Sequence, residues 1–115
     1  MRRGDVVRVE LPRPVGTAGR EQFGMRPAIV VQDEAAATNA PTVVIVPLTS
    51  SLSAARFAGS FTISPSATNG LDVESVVLTH QVRAIDKRRV EGVIGRVAQD
   101  EMENLDRELR KLLRL

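Results

Sequence analysis

Apolar and polar residues alternate along residues 4–11: Val7, Val9 and Leu11 fall on one side, Arg8 and Glu10 on the other. This is the period of a half-buried strand. Residues 27–32, around Ala-Ile-Val-Val, and residues 42–46, Thr-Val-Val-Ile-Val, are apolar without alternation. Such runs predict central strands covered on both faces. Residues 60–64 predict a short strand around Phe61 and Ile63, residues 74–85 a long strand bent near His80, and residues 92–97 a short last strand. Residues 12–24, 33–41 and 47–59 read as connections, and 65–71 as a turn region marked by Asn69-Gly70. The charged residues 86–89 break the pattern. From Asp100 the period becomes helical, with Met102, Leu105, Leu109, Leu112 and Leu113 on one face. Asp100 and Glu103 are spaced as a capping box, and Arg110, Lys111 and Arg114 suit the negative end of the helix dipole. Five or six strands and one terminal helix predict a mainly β protein with a C-terminal α-helix, folded as a small, partly open β-barrel. The helix packs on that sheet or on a partner chain.

The chain has 115 residues, enough for a single domain spanning 1–115. Hydrophobic residues make up 43%, which supports a core. There is no Cys, which excludes disulfide scaffolds, Cys-based zinc sites and thiol nucleophiles. A single His excludes a multi-histidine metal site. No metal or cofactor is expected. Trp and Tyr are absent and Phe23, Phe57 and Phe61 are the only aromatics, a poor endowment for a stacking-based nucleic-acid surface. Lys87 and Lys111 are the only lysines; every other base is Arg. Guanidinium forks match phosphate oxygens, although codon usage gives the same count. No apolar run approaches the about 18 residues needed to span a bilayer. The opening Met-Arg-Arg-Gly-Asp lacks the apolar stretch of a signal peptide. A soluble, cytoplasmic protein without membrane contact is expected.

Three stretches can carry chemistry. In the first, residues 19–27, Arg26 stands where a loop enters a buried strand, and Pro27 stiffens its base. That placement suits a charge held at a scissile group; an ion pair with Asp5 or Asp86 closing the barrel end is the structural alternative. In the second, Thr49, Ser50 and Ser51 follow an apolar strand, where hydroxyls can hold phosphate oxygens or merely cap a turn. In the third, alternation puts Thr79, Gln81 and Arg83 on one face, able to line a polyanion groove. Lys87-Arg88-Arg89 equally reads as a solvated turn, and His80 as a surface histidine.

Together these stretches resemble the MazF/PemK family of toxin endoribonucleases of bacterial type II toxin–antitoxin systems. The similarity runs through Gly4-Asp5-Val6-Val7, Glu21-Gln22, Gly24-x-Arg26-Pro27 and Val30-Val31-Gln32. It continues through Pro41-Thr42-Val43, Pro47-Leu48-Thr49-Ser50, Ser75-Val76-Val77-Leu78 and Gln81-Val82-Arg83-Ala84-Ile85-Asp86-Lys87-x-Arg89. The resemblance implies an SH3-like barrel of the CcdB/MazF type, forming a homodimer. It also implies metal-independent cleavage of single-stranded RNA at short sequences. In the family the 2′-hydroxyl attacks the adjacent phosphate, leaving a 2′,3′-cyclic phosphate and a 5′-hydroxyl. The family's catalytic pair carries over to Arg26 and Thr49. Substrate contacts are expected from Arg20, Glu21, Gln22, Phe23, Gln32, Ser50, His80, Gln81 and Arg83. A cognate antitoxin, with a disordered acidic tail lying in the RNA groove, is the implied partner. His80 departs from the pattern, since the family commonly carries an acidic residue there.

Two other readings compete. A non-catalytic toxin of the gyrase-poisoning CcdB type shares the fold, but its family uses a C-terminal Trp-Gly-Ile tail. This chain ends Lys111-Leu112-Leu113-Arg114-Leu115 and has no Trp. A non-catalytic SH3-like RNA-binding module is the other.

Overall fold

The computed structural model describes residues 1–12, 24–36 and 38–115. Most of the predicted first connection, residues 13–23, lies outside them. Within the described residues there are seven strands rather than five or six: β1 (Asp5–Leu11), β2 (Gly24–Val30), β3 (Thr42–Thr49), β4 (Phe61–Ile63), β5 (Ser75–Val77), β6 (Arg83–Asp86) and β7 (Val90–Arg96). One helix, α1 (Gln99–Leu113), ends the chain. The sheet runs β4-β5-β3-β2-β1-β7, and β6 also pairs with β3; every ladder is antiparallel. The short turn Lys87–Arg89, rather than a ladder, joins β6 to β7, so the curled sheet β7-β1-β2-β3-β6 stays open.

Both faces of the central strands are covered, which explains their unbroken apolar sequences. On the inner face Val7, Val9, Ala28, Val30, Val43 and Ile45 meet Ile85 from β6. On the outer face Val6, Ile29, Val46 and Leu48 pack with Val77 from β5 and Leu105 from α1. Arg8 and Glu10 remain exposed, as the alternation of β1 requires.

Four sequence expectations change. The long strand over residues 74–85 is two strands, β5 and β6, separated by a 3-10 turn at Thr79–Gln81. Register explains the break. Leu48 lies opposite Val77 and Ile45 opposite Arg83, so three steps along β3 face six on the partner segment. The three extra residues form the turn, and Thr79, Gln81 and Arg83 no longer share one strand face. The expected connection over residues 47–59 begins later, because β3 continues through Thr49 by pairing with β5. The helix begins one residue before Asp100. Glu101, not Glu103, accepts a hydrogen bond from the Ala98 backbone N–H at 3.0 Å, and Ala98 has no side-chain acceptor to complete a capping box. The apolar helix face is buried only in part: Leu105 is fully enclosed, whereas Leu112 and Leu113 are 47% and 52% exposed.

Candidate active site

Two prolines create the site. The β2–β3 ladder ends where Ala28 faces Pro47. Neither Pro27 nor Pro47 has an N–H to donate, so neither can continue a ladder as donor. Beyond this point β3 leaves β2. The Pro47 carbonyl accepts from the Leu78 N–H at 3.0 Å, and Leu48 and Thr49 pair with Val77 and Val76. The result is a fork, with Arg26 on one tip and Thr49 on the other. Arg26 stands two residues before the last β2–β3 pair and Thr49 two residues after it. Strand alternation places both on the inner face, in line with Ala28 and Pro47.

Arg26 is half-buried on β2, across from Val9. Gly24, at φ +81°, opens that strand in the left-handed region that favours glycine. Thr49 is 6% exposed, and its Oγ1 accepts the Ser51 N–H at 3.1 Å. That bond occupies a lone pair and leaves the hydroxyl proton available to an acceptor. Asp5 and Asp86, the carboxylates considered for Arg26, are engaged by Arg96 at 2.6 Å and Arg88 at 2.8 Å.

Arg26 and Ser50 border one cavity of about 170 Å³, which Arg8, Asp72 and Ser75 also line. Sequence reasoning missed Arg8 and Asp72. The outward position of Arg8 in an alternating strand was its only signal, and Asp72 carried none. His80 lies elsewhere, on a cavity of about 240 Å³ shared with Gly59, Thr79, Glu108 and Lys111. Its ring sits 5.3 Å from that of Phe57, tilted by 48°, while the Arg56 guanidinium lies 5.0 Å from the Phe57 centroid. Thr79 fixes this corner by donating from Oγ1 to the Gly59 carbonyl at 2.8 Å. Gln81 ends the same turn and Arg83 opens β6; both are half-buried. Gln32 has a structural task. Its Nε2 donates to the Ala36 carbonyl and its Oε1 accepts the Val44 N–H, pinning the connection between β2 and β3. Arg20, Glu21, Gln22 and Phe23 lie outside the described residues. Among the described residues, no group of three or more His, Asp or Glu is placed to hold a metal ion. No helix among them is long and apolar enough to cross a membrane.

Residues 2–113 match the family described as the PemK-like, MazF-like toxin of type II toxin–antitoxin systems. The chain belongs to this family. It is 32% identical over 106 residues to the endoribonuclease MazF of Staphylococcus saprophyticus, an alignment covering 92% of this chain and 85% of the relative. Among solved structures it is similar to MazF from Deinococcus radiodurans in one crystal form, with a TM-score of 0.78 and 27% identity over 100% of this chain and 97% of the other. It is also similar to a chain of the MazE–MazF structure from the same organism, with a TM-score of 0.69 and 27% identity over 100% and 96% of the two chains. These likenesses agree with the mainly antiparallel, open sheet and terminal helix of this member of the PemK-like, MazF-like toxins.

Proposed function

We propose that this toxin is an endoribonuclease that cuts single-stranded RNA at the fork between β2 and β3. The observation that carries the reading is the placement of a guanidinium and a hydroxyl at that fork, Arg26 two residues before the last β2–β3 pair and Thr49 two residues beyond it. The 2′-oxygen of the RNA bonds to the adjacent phosphorus as the bond to the 5′-oxygen breaks. The 2′-hydroxyl gives up its proton and the departing 5′-oxygen gains one, leaving a 2′,3′-cyclic phosphate and a 5′-hydroxyl. Negative charge builds on the non-bridging oxygens. Arg26 donates to them as a charged fork and Thr49 adds its hydroxyl proton. A guanidinium has only donors and no acceptor atom, so the role of Arg26 is charge stabilisation. The nucleophile belongs to the substrate, and the reaction proceeds without a metal. Ser50, Gln81 and Arg83 contact the strand, and His80 with Phe57 offers adjoining rings to a base. The enzyme acts in the cytoplasm as a homodimer. A cognate antitoxin is its partner, supported by the likeness to a chain of a MazE–MazF structure, and a disordered acidic tail of that antitoxin suits an Arg-bearing RNA groove.

The test is incubation of the purified protein with a long single-stranded RNA in EDTA, followed by mapping of the ends. Discrete cuts with cyclic-phosphate ends are expected. Arg26→Ala should lose about 100-fold or more in cleavage rate while keeping the wild-type circular dichroism spectrum. Undiminished cleavage by the folded variant would remove Arg26 from this role. Absence of cutting by the wild-type protein would favour a non-catalytic, CcdB-like toxin or RNA-binding module.

A further inference from the structure

We propose that the cavity between His80 and α1 receives a guanine base of the RNA, and that Glu108 selects that base. The proposal rests on the ribonuclease reading above and deepens it by naming a specificity-determining residue. Gly59, Thr79, His80, Glu108, Lys111 and Leu112 line this cavity of about 240 Å³. Sites for drug-sized ligands run to about 300–1,000 Å³, so the space suits a single flat ring system. Glu108 pairs with Lys111 at 3.3 Å, and the two charges cancel. A neutral base therefore fits the lining better than a phosphate. The turn that carries Thr79 and His80 hangs on the strand of the fork, because the Leu78 N–H donates to the Pro47 carbonyl at 3.0 Å. Pro47 stands two residues before Thr49. That path keeps the His80 backbone within about 20 Å of Thr49, a span of a few nucleotides of extended RNA.

Glu108 is the telling residue. Its side chain is only 19% exposed, although that of Lys111 is 67% exposed. Lys111 donates to Oε1, and Oε2 accepts no hydrogen bond among the described residues. A carboxylate oxygen withdrawn from water and left without a donor is costly, so a ligand that brings one is favoured. The absence of a side chain at Gly59 keeps the space beside this oxygen clear, since a Cβ there would lie 3.6 Å from Oε2. On the other wall His80 is exposed, with its ring 5.3 Å from that of Phe57, and a base can stack on it. The Watson–Crick edge of guanine carries two adjacent N–H donors and one oxygen acceptor. Glu108 can take both donors, and the Lys111 ammonium can donate to the oxygen. The same edge of adenine, cytosine or uracil carries a single donor group.

The probe is a random-sequence pool of single-stranded RNA, cut by the wild-type protein and mapped at its ends. Guanine should be favoured about tenfold at one fixed offset from the cut. Two RNAs are then compared, with guanine or inosine at that offset; inosine keeps the oxygen and one N–H but lacks the amino group. The wild-type protein should cut the guanine RNA about tenfold faster, the worth of one hydrogen bond to a charged group. Glu108→Gln should cut the two RNAs at equal rates, because its amide no longer offers two acceptor oxygens. His80→Ala should slow both alike by about tenfold, since stacking does not depend on the amino group. A folded Glu108→Gln protein that keeps the preference for guanine over inosine would overturn the proposal. So would wild-type rates on both RNAs in His80→Ala. Cutting of the pool with no preference for guanine at any offset overturns this proposal alone, whereas a wild-type protein that does not cut the pool overturns the ribonuclease reading as well.

Discussion

Arg26 and Gln32 were both singled out from sequence, and the structure gives them different work. Arg26 lies one residue from a proline at the fork and borders an open cavity. Gln32 spends its carboxamide on two backbone groups of its own connection. Residue type could not separate them, because both are polar side chains next to apolar strands. Thr49 was legible as a hydroxyl at a strand end, but its hydrogen bond from the Ser51 N–H depends on the turn that follows. The charged residues 86–89, which read from sequence only as a break in the strand pattern and a solvated turn, make a local contact. Arg88 donates through its side chain to both Asp86 oxygens and through its backbone N–H to Oδ1, holding the Asp86 carboxyl down to about 2 from an ordinary 3.8. Depression of a carboxyl means that its contribution to folding is present above about 3.8 and lost as pH falls through about 2. A carbon-detected NMR titration should find the Asp86 midpoint near that lower value. Arg88→Ala should return it towards the ordinary value, and an unmoved midpoint would break the assignment.

Among the elements, the turn over residues 65–71 was predicted from Asn69-Gly70 and is present, but tertiary packing explains why it is so tightly specified. Asn69 is fully buried; its Oδ1 accepts from the Ser66 and Leu71 backbone N–H groups and its Nδ2 donates to the Ser64 carbonyl. Gly70 adopts φ +71°, and a Cβ there would lie 2.1 Å from the Ile94 carbonyl oxygen of β7. Two penalties therefore meet at one residue, a left-handed backbone and a backbone collision. Gly70→Ala should cost roughly 3 kcal/mol, measured by urea denaturation. A loss below about 0.5 kcal/mol, the range of ordinary surface substitutions, would show that the turn moves freely off β7. The division of residues 74–85 into β5 and β6 has the opposite character. Each half has strand-forming sequence, and only their shared partner β3, engaged in two registers, requires the intervening turn.

At the scale of the molecule, α1 closes the outer core. Leu105 is completely buried there, and Met102 and Leu109 pack against the same cluster. Arg3 holds the N-terminal segment to this assembly, donating to the Val31 carbonyl at 2.9 Å and pairing with Asp106 of the helix. Leu105→Ala should lower unfolding stability by about 3 kcal/mol, through lost burial and the cavity left behind. A change under about 1 kcal/mol would mean that the helix contributes little to the folded chain. The order of strands and the terminal helix were legible because burial imposes a local period, and that period survives in the linear chain. The family resemblance likewise rests on residues read in order, from Gly24-x-Arg26-Pro27 to Pro47-Leu48-Thr49-Ser50. The fork is different in kind. Pro27 and Pro47 are separated by most of two strands and a connection, and their joint effect exists only once β2 and β3 are paired. Local periodicity specifies which segments become strands. Pairing partners and register, set by distant contacts, decide which side chains share a surface.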